Sequence, residues 1–254
     1  MLSPSEPIVC SGCGAPYRTL LLGAHHLNCP TCDCVIRRAR ARERQEWQEQ
    51  ERDQRLAAAN ISPRLAECTF ERFGPEEGNW QAFQQCAQYP QRWPLQLKEA
   101  QGSGLLLWGK PGRGKSHLAV AVVLALLDKE VEVRFITVPD FLSELRDGLR
   151  QNVAPGEAMS CLTTVPLLVL DDLGAENDTT WANETLYQLI NCRYQNLLPL
   201  VATTNCDLNE LEQSLGERTV SRLLEICLPL EVKGPDRRKQ AANERKHPFP
   251  NAGP

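Results

Sequence analysis

The sequence predicts an α/β fold built around a parallel sheet, and three observations lead to this prediction. Strand-like and helix-like segments alternate from Ser103 to Val232, and such alternation implies parallel strands joined by crossover helices. A glycine-rich loop follows the first of these strands and precedes the first helix. The chain has 254 residues, 42% hydrophobic and 24% charged, which suffices for one such core and a small additional module.

The hydrophobic periodicity predicts the individual elements. Five apolar or β-branched runs are predicted as strands, at 104–108, 132–137, 166–170, 200–204 and 227–232. The segments with helical spacing between them are 115–127, 140–149, 180–196 and 208–225. Ahead of this core we expect a solvated helix over 35–60, which is rich in arginine and glutamate and contains no glycine or proline, and a helix around 80–89.

The segment from Gly109 to Ser116 reads GKPGRGKS and fits the phosphate-binding pattern G-x-x-x-x-G-K-[ST] without a mismatch. Its glycines let backbone amides surround a phosphate, and the next helix adds the positive end of its dipole. Lys115 is expected to contact the β- and γ-phosphates of ATP, and Ser116 to bind Mg²⁺. The expected nucleotide-binding residues are Gly109, Lys110, Pro111, Gly112, Arg113, Gly114, Lys115, Ser116 and His117.

Two later strands end in polar residues where open α/β sheets bind ligands. The strand at 166–170 is followed by Asp171 and Asp172. We expect Asp171 to hold Mg²⁺, and Asp172 to orient or deprotonate the water that attacks ATP. The strand at 200–204 leads to Asn205, which, with Thr204 as the alternative, would contact the γ-phosphate or that water.

Arg218 and Arg222 lie four residues apart on one face of a predicted helix. One of them would act as an arginine finger on the ATP of a neighbouring subunit. Taken without any family resemblance, the sequence favours the other interpretation, in which both arginines form surface ion pairs with Glu217 and Glu225.

The cysteines are concentrated at the N-terminus, where five of the eleven occur in the first 34 residues. Cys10 and Cys13, and Cys29 and Cys32, form two CxxC pairs with the spacing of a four-cysteine zinc site. Cys34 is the alternative to Cys32. With so few residues, the folding energy of this module would come from the metal.

The overall charge gives no argument for nucleic-acid binding, because the formal net charge is −4. The best local basic patch is 37–44, which would track a nucleic-acid backbone or pair with the glutamates that follow it. The N-terminus lacks the pattern of a secretory signal, and the longest apolar run, 118–127, is about half of the ~20 residues that a membrane span needs. We therefore expect a cytoplasmic protein without a membrane partner.

The order of these motifs resembles that of AAA+ ATPases, and most of all the bacterial and phage helicase loaders of the DnaC/DnaI type, with the IstB transposition ATPases as near relatives. The resemblance covers about residues 60 to 238. The segments that carry it are Ile61–Leu65, Thr69–Phe73, Gly109–Leu118, Leu170–Gly174, Arg193–Tyr194, Thr203–Asn205 and Ser221–Leu223.

This resemblance implies a P-loop NTPase of the AAA+ (ASCE) class, with a five-stranded parallel sheet and no large helical lid. It makes Arg222 the preferred arginine finger, and places a second sensor arginine at Arg238, although Asp236 replaces the usual serine of that motif. The expected domains are a zinc-binding module (1–35), a helical linker (36–66), the ATPase core (67–235) and a flexible tail (236–254).

The function implied is an ATP-binding and ATP-hydrolysing DNA replication protein. It would load a hexameric DnaB-type replicative helicase onto single-stranded DNA, self-associate through its ATP site, and hydrolyse ATP slowly without its partners. Two alternatives stay open. One is an IstB-like transposition helper that acts on duplex DNA. The other is a zinc-dependent adaptor with little ATP turnover, because Asp172 stands where related ATPases often carry glutamate.

Overall fold

A computed structural model describes residues 8–10, 16–17, 34–96, 104–151, 156–175 and 180–239. The chain divides into two compact units, Met1–Arg55 and Leu56–Pro254. In the first unit, strand β1 (Ile8–Val9) pairs antiparallel with β2 (Pro16–Tyr17). Cys10 follows β1 directly, whereas the predicted zinc ligands Cys13, Cys29 and Cys32 lie outside the described residues.

The second unit contains the predicted parallel sheet, and this prediction is confirmed. Its five strands in the described residues are β3 (Gly104–Trp108), β4 (Val133–Thr137), β5 (Leu167–Leu173), β6 (Leu200–Thr204) and β7 (Cys227–Glu231). They are all parallel, in the order β4-β5-β6-β3-β7. Strand β6 therefore lies between the strand that precedes the P-loop and the strand that carries the acid pair.

Helices cover both faces of this sheet. The helices of the described residues are α1 (Cys34–Ala58), most of which belongs to the first unit, and, in the second unit, α2 (Phe70–Phe73), α3 (Trp80–Gln96), α4 (Lys115–Leu127), α5 (Val138–Arg150), α6 (Gly156–Thr164), α7 (Thr180–Gln195), α8 (Leu208–Leu215) and α9 (Glu217–Ile226). Alternation along β3 divides the core, because Leu105 and Leu107 pack with α3 and α4, whereas Leu106 packs with the helices from α5 to α9. Within the described residues, none of these helices is long and apolar enough to span a bilayer.

One predicted helix is divided in the structure, and one helix of the structure was not predicted. The single helix expected over 208–225 is two helices, because Gly216 has φ 84° and ψ 146° and interrupts the helical backbone. Helix α6 is not predicted by the sequence pattern, since its nine residues show little apolar periodicity.

Helix α3 extends seven residues beyond its predicted end at Tyr89, through two prolines that argue against a helix in sequence analysis. Pro94 has no N–H to donate to the carbonyl of Pro90, four residues earlier. The side chain of Lys129 replaces that donor, with its Nζ 2.7 Å from the Pro90 oxygen. A contact from a distant loop thus satisfies the helix at this point.

The second unit begins before the predicted linker–core boundary, because residues next to the end of α1 bond to the edge of the sheet. The N–H of Phe135 on β4 donates to the carbonyl of Ala59 at 2.9 Å, and Asn60 Nδ2 donates to the Phe135 carbonyl at 3.2 Å. These bonds cover part of the open edge of β4.

Arg193 is a fully buried cation on α7 that holds the chain around the starts of β5 and β6. Its guanidinium donates to four backbone carbonyls, at 2.6 to 3.2 Å, those of Leu162, Val165, Pro166 and Pro199. Burial lowers the pKa of Arg193 to about 10, which leaves it charged at neutral pH. The residue therefore fixes the entry of two strands that carry polar residues at their other ends.

We expect Arg193→Met to lower the free energy of unfolding by about 3–5 kcal/mol, because four buried carbonyls would lose their donor. Urea denaturation would measure the loss. Arg150→Met is the matched control, since Arg150 is exposed and its ion pair with Asp147 spans 3.0 Å at the surface; such a pair contributes about 0–1 kcal/mol. Equal effects of the two substitutions would contradict the role of Arg193.

Candidate nucleotide-binding site

The P-loop from Gly109 to Ser116 has a backbone that only glycine accommodates at its turns. Gly112 and Gly114 have φ values of 78° and 93°. A Cβ on Gly114 would lie 2.7 Å from the Phe73 ring, and one on Gly112 would lie 2.1 Å from the Asp236 carboxylate. These glycines therefore allow both the left-handed backbone and the close packing beneath the loop.

Lys115 lies inside this loop with 4% of its surface exposed. Its Nζ donates to the carbonyl of Gly109 at 2.7 Å, to that of Lys110 at 3.1 Å and to Asn205 Oδ1 at 2.7 Å. Burial lowers the pKa of Lys115, although the negative charges of Asp172 and Asp171 oppose that shift. The site thus holds a desolvated cation at the position where the motif predicts phosphates.

Asp171 is a buried carboxylate, 8% exposed, next to the P-loop serine. The hydroxyl of Thr203 donates to its Oδ1 at 2.6 Å, and the Ser116 hydroxyl also bonds to it. Burial raises the pKa of Asp171, while these two hydrogen bonds act in the opposite direction. A carboxylate and a hydroxyl at one point are oxygen ligands of the kind that Mg²⁺ binds.

Asp172 adopts a left-handed backbone conformation, with φ 59°. The pairing of β5 with β6 shifts register between Leu170 and Leu173, so both aspartates lie in a bulge rather than after the strand as predicted. Bulges redirect side chains. As a result the Asp172 N–H donates to Thr203 Oγ1 at 3.0 Å, and its Oδ1 accepts from Asn205 Nδ2 at 3.1 Å.

Asn205 connects the P-loop to the acid pair. Its Oδ1 accepts from Lys115 and its Nδ2 donates to Asp172, whereas the alternative residue, Thr204, bonds to the N–H of Cys206. One chain of hydrogen bonds thus joins Lys115, Asn205 and Asp172, three of the five predicted catalytic residues. Such an arrangement can place a phosphate, a metal ion and a water molecule within reach of one another.

Thr203 is a site residue that the sequence motifs did not single out, although it bonds to both aspartates. In the observed register Leu168 pairs with Leu200 and Leu170 with Ala202, so the next residue of β6 comes beside the acid pair. The polar Thr203 at the end of an apolar strand was the available signal. Its use requires the register of β5 with β6, which the local pattern of either strand does not specify.

Residues 69–73, which precede the sheet in the sequence, contact His117 directly after the P-loop. His117 Nε2 donates to the Thr69 carbonyl at 2.7 Å, and the ring of His117 packs edge-on against Phe73, with centroids 5.3 Å apart. Burial lowers the pKa of His117, which favours the neutral ring. The Thr69–Phe73 segment is thus a structural part of the site.

The sequence predicts a flexible tail from residue 236 onward, yet residues 236–239 contact the same region. The N–H of Arg237 donates to the Gly112 carbonyl at 3.0 Å, and its guanidinium bonds to the carbonyls of Phe73 and Gly74. Asp236 Oδ1 accepts from the Arg238 N–H at 3.0 Å, as a helix cap does. The positive charge of Arg238 also contributes to the lowered pKa of Lys115.

Arg222 lies on α9 and contacts α7. Its guanidinium stacks on Tyr187, 4.6 Å from the ring centroid, and approaches Tyr194 at 5.8 Å. In the described part of the chain neither Arg222 nor the exposed Arg218 forms the ion pairs with Glu217 and Glu225 that the family-independent interpretation predicted, and no contact joins Arg222 to its own P-loop.

A five-stranded parallel sheet with a P-loop after one strand, an acid pair on another and a polar residue on the strand between them defines a P-loop NTPase of the AAA+ type. The family model for IstB-like ATP binding proteins matches residues 95–245. This chain belongs to that family.

Individual relatives agree with this assignment. The replicative helicase loader DnaC of Escherichia coli K12 is 29% identical over 167 residues, which is 65% of this chain and 66% of DnaC. The replicative helicase loader DnaI of Bacillus subtilis 168 is 31% identical over 150 residues, 54% of this chain and 48% of DnaI. The crystal structure of the DnaC helicase loader superposes with a TM-score of 0.61 at 27% identity, over 68% of this chain and 100% of that one. The sequence similarity thus spans about half to two thirds of each relative's length.

Proposed function

We propose that this chain is an ATP-hydrolysing helicase loader, which places a hexameric replicative helicase of the DnaB type on single-stranded DNA. The observation that carries the proposal is the joined ATP site, Lys115–Asn205–Asp172, which lies within the residues 95–245 that match the IstB-like family model, in a chain similar to DnaC and DnaI. The nucleotide would be held by the predicted residues from Gly109 to His117.

In the proposed reaction each residue acts through an observed position. Lys115, already desolvated, binds the β- and γ-phosphates and exchanges its carbonyl contacts for them. Ser116 and Asp171 hold Mg²⁺, which would neutralise phosphate charge when bound. Asp172 accepts the proton of the attacking water, and Asn205 orients that water beside it. Arg222 acts on the ATP of the neighbouring subunit, so hydrolysis depends on self-association.

The α5–α7 surface supports a single-stranded DNA partner. Arg146 on α5 stacks over the Trp181 ring of α7 at 5.1 Å, and Leu149, one turn further on α5, is 44% exposed. Aromatic rings with adjacent arginines bind unpaired bases by stacking, with little dependence on sequence. We assign DNA contact to this surface rather than to the 37–44 patch.

We expect Trp181→Ala to weaken single-stranded DNA binding about 10- to 100-fold, since stacking contributes roughly 1–3 kcal/mol per base. Fluorescence anisotropy with a labelled oligothymidine would measure the change. Trp80→Ala is the control for loss of a tryptophan, because Trp80 is exposed, at 48%, but lies on α3 against Phe83, whereas Trp181 is partly buried on α7. A loss of affinity in the Trp80 variant alone would place the DNA elsewhere.

The N-terminal unit is proposed to hold zinc through Cys10, Cys13, Cys29 and Cys32, with Cys34 as the alternative, and to contact the helicase. The β1–β2 pair supports this, because its strands flank the first CxxC pair in sequence, and Cys10 is buried. Four thiolates without a carboxylate suit zinc as a structural ion. Metal analysis of the purified chain should give one zinc per chain, lost in Cys10→Ser/Cys13→Ser.

The helicase proposal is tested by capture and by loading. With ATP present, immobilised wild-type chain should retain a DnaB-type hexamer and stimulate its unwinding of DNA coated with single-strand-binding protein, while Cys10→Ser/Cys13→Ser should not. Absence of capture by both, with tight binding to duplex DNA, would favour the transposition helper. Capture that is unchanged in Asp172→Asn, in a protein whose wild type has no measurable turnover, would favour the adaptor.

A further inference from the structure

Arg222 is held in an unusual way for a helix-surface arginine. The ring of Tyr187 lies under the face of its guanidinium at 4.6 Å, and Tyr194, two helical turns further along α7, lies at 5.8 Å. Stacking of this kind uses the face of the cation and leaves its N–H donors in the plane. The two rings thus orient the group without occupying its hydrogen-bond donors.

Glu225, the carboxylate best placed to pair with Arg222, bonds to another residue instead. Glu225 follows it by three positions on α9, a spacing at which arginine and glutamate commonly pair. Instead the Tyr194 hydroxyl donates to Glu225 Oε2 at 2.9 Å. This hydrogen bond raises the pKa of Tyr194, so the hydroxyl remains a donor.

The donors of Arg222 consequently have no acceptor in the described part of the chain. Nη1 is buried and makes no hydrogen bond. A buried donor without an acceptor is costly and is rarely retained without a reason. The arrangement suits a guanidinium whose acceptor, such as a phosphate oxygen, comes from another molecule.

We propose that Tyr187 and Tyr194 are positioning residues for Arg222: Tyr187 supports its guanidinium, and Tyr194 keeps Glu225 from pairing with it. This inference rests on the proposed function, in which Arg222 acts on the ATP of a neighbouring subunit. It also gives a role to Tyr194, which the sequence singled out only by resemblance.

The surroundings of Tyr187 allow another subunit to approach. Tyr187 lines an open groove of about 730 Å³ between the N-terminal ends of α7 and α9, together with Gly216, Arg218 and Thr219. The stacked pair therefore borders a concave surface.

The test first removes the Tyr194 hydroxyl and then removes the negative charge of Glu225. Tyr194→Phe keeps the ring but frees Glu225 to pair with Arg222, so ATP hydrolysis per subunit at assembling concentrations should fall about fivefold, the largest effect that an exposed ion pair usually produces. Adding Glu225→Gln removes the competing charge and should return the rate to within about twofold of wild type. Adding Glu217→Gln instead, on the same helix, should leave the defect in place. Urea denaturation of each variant checks that folding is intact.

Each outcome decides between the roles. A Tyr194→Phe rate equal to wild type, or a defect that Glu225→Gln does not rescue, would overturn the positioning role while leaving Arg222 itself unaffected. An Arg222→Ala variant with the wild-type rate would instead overturn the proposed role of Arg222, and the positioning with it.

Discussion

Lys115→Met is expected to weaken ATP binding by on the order of 100-fold or more and to abolish hydrolysis. Lys115 is the desolvated cation inside the P-loop, and the loss of a buried charged partner commonly costs about 2–5 kcal/mol. Isothermal titration with ATP and Mg²⁺ would measure the affinity, and phosphate release would measure the rate.

Loss of the fold is not the expected cause of this effect. Burial lowers the pKa of Lys115, so its charge opposes folding, whereas the loss of its three hydrogen bonds acts in the opposite direction, and the thermal midpoint of Lys115→Met should therefore change by only a few degrees. Lys110→Met is the matched control, because Lys110 belongs to the same loop but is exposed. Its affinity should remain within a few-fold of wild type. Full ATP binding by Lys115→Met would refute the assignment of this loop as the phosphate site.

Arg222→Ala is expected to reduce ATP hydrolysis in the assembled protein on the order of a thousandfold, with ATP affinity little changed. An arginine finger stabilises charge that develops only in the transition state, and its loss has effects of this size. Arg218→Ala, one turn earlier on α9, is the control and should change the rate by only a few-fold.

Mixing two inactive variants tests whether Arg222 acts between subunits. Lys115→Met is expected to lack hydrolysis at its own site but retains Arg222, whereas Arg222→Ala binds ATP but lacks the guanidinium. A mixture should recover part of the wild-type rate, because some interfaces combine an intact ATP site with an intact arginine. No recovery at any ratio would indicate that Arg222 acts within its own subunit or has a structural role only.

Residue spacing and family resemblance gave different predictions for Arg222. Taken alone, the residue spacing favoured ion pairs with nearby glutamates, while the family resemblance favoured an arginine finger. The observed guanidinium forms no such pair in the described residues, where the Tyr194 hydroxyl donates to Glu225 instead. That contact joins residues 31 positions apart on different helices, and no local pattern predicts it.

Local sequence patterns were enough to predict the sheet, the P-loop and the polar residues at the strand ends. The strands follow from local hydrophobic periodicity. The P-loop follows from a fixed spacing of glycine and lysine, in which glycine allows backbone conformations that other residues rarely adopt. Helix α3 was predicted too short, because its prolines argue against a helix and the contact that satisfies it comes from the distant Lys129. Helices α8 and α9 were predicted as one helix, because the interruption at Gly216 was not expected.

The contacts between these residues depend on the tertiary structure. The bulge at Asp171 and Asp172 and the placement of Thr203 beside them follow from the register of β5 with β6. The hydrogen bond that Lys115 donates to Asn205 depends on the pairing of β6 with β3. Arg237 likewise joins the C-terminal segment to the P-loop, which lies far earlier in the chain. The physical reason is common to all of them: hydrogen bonds between distant segments depend on strand register and packing, which single-residue preferences do not encode.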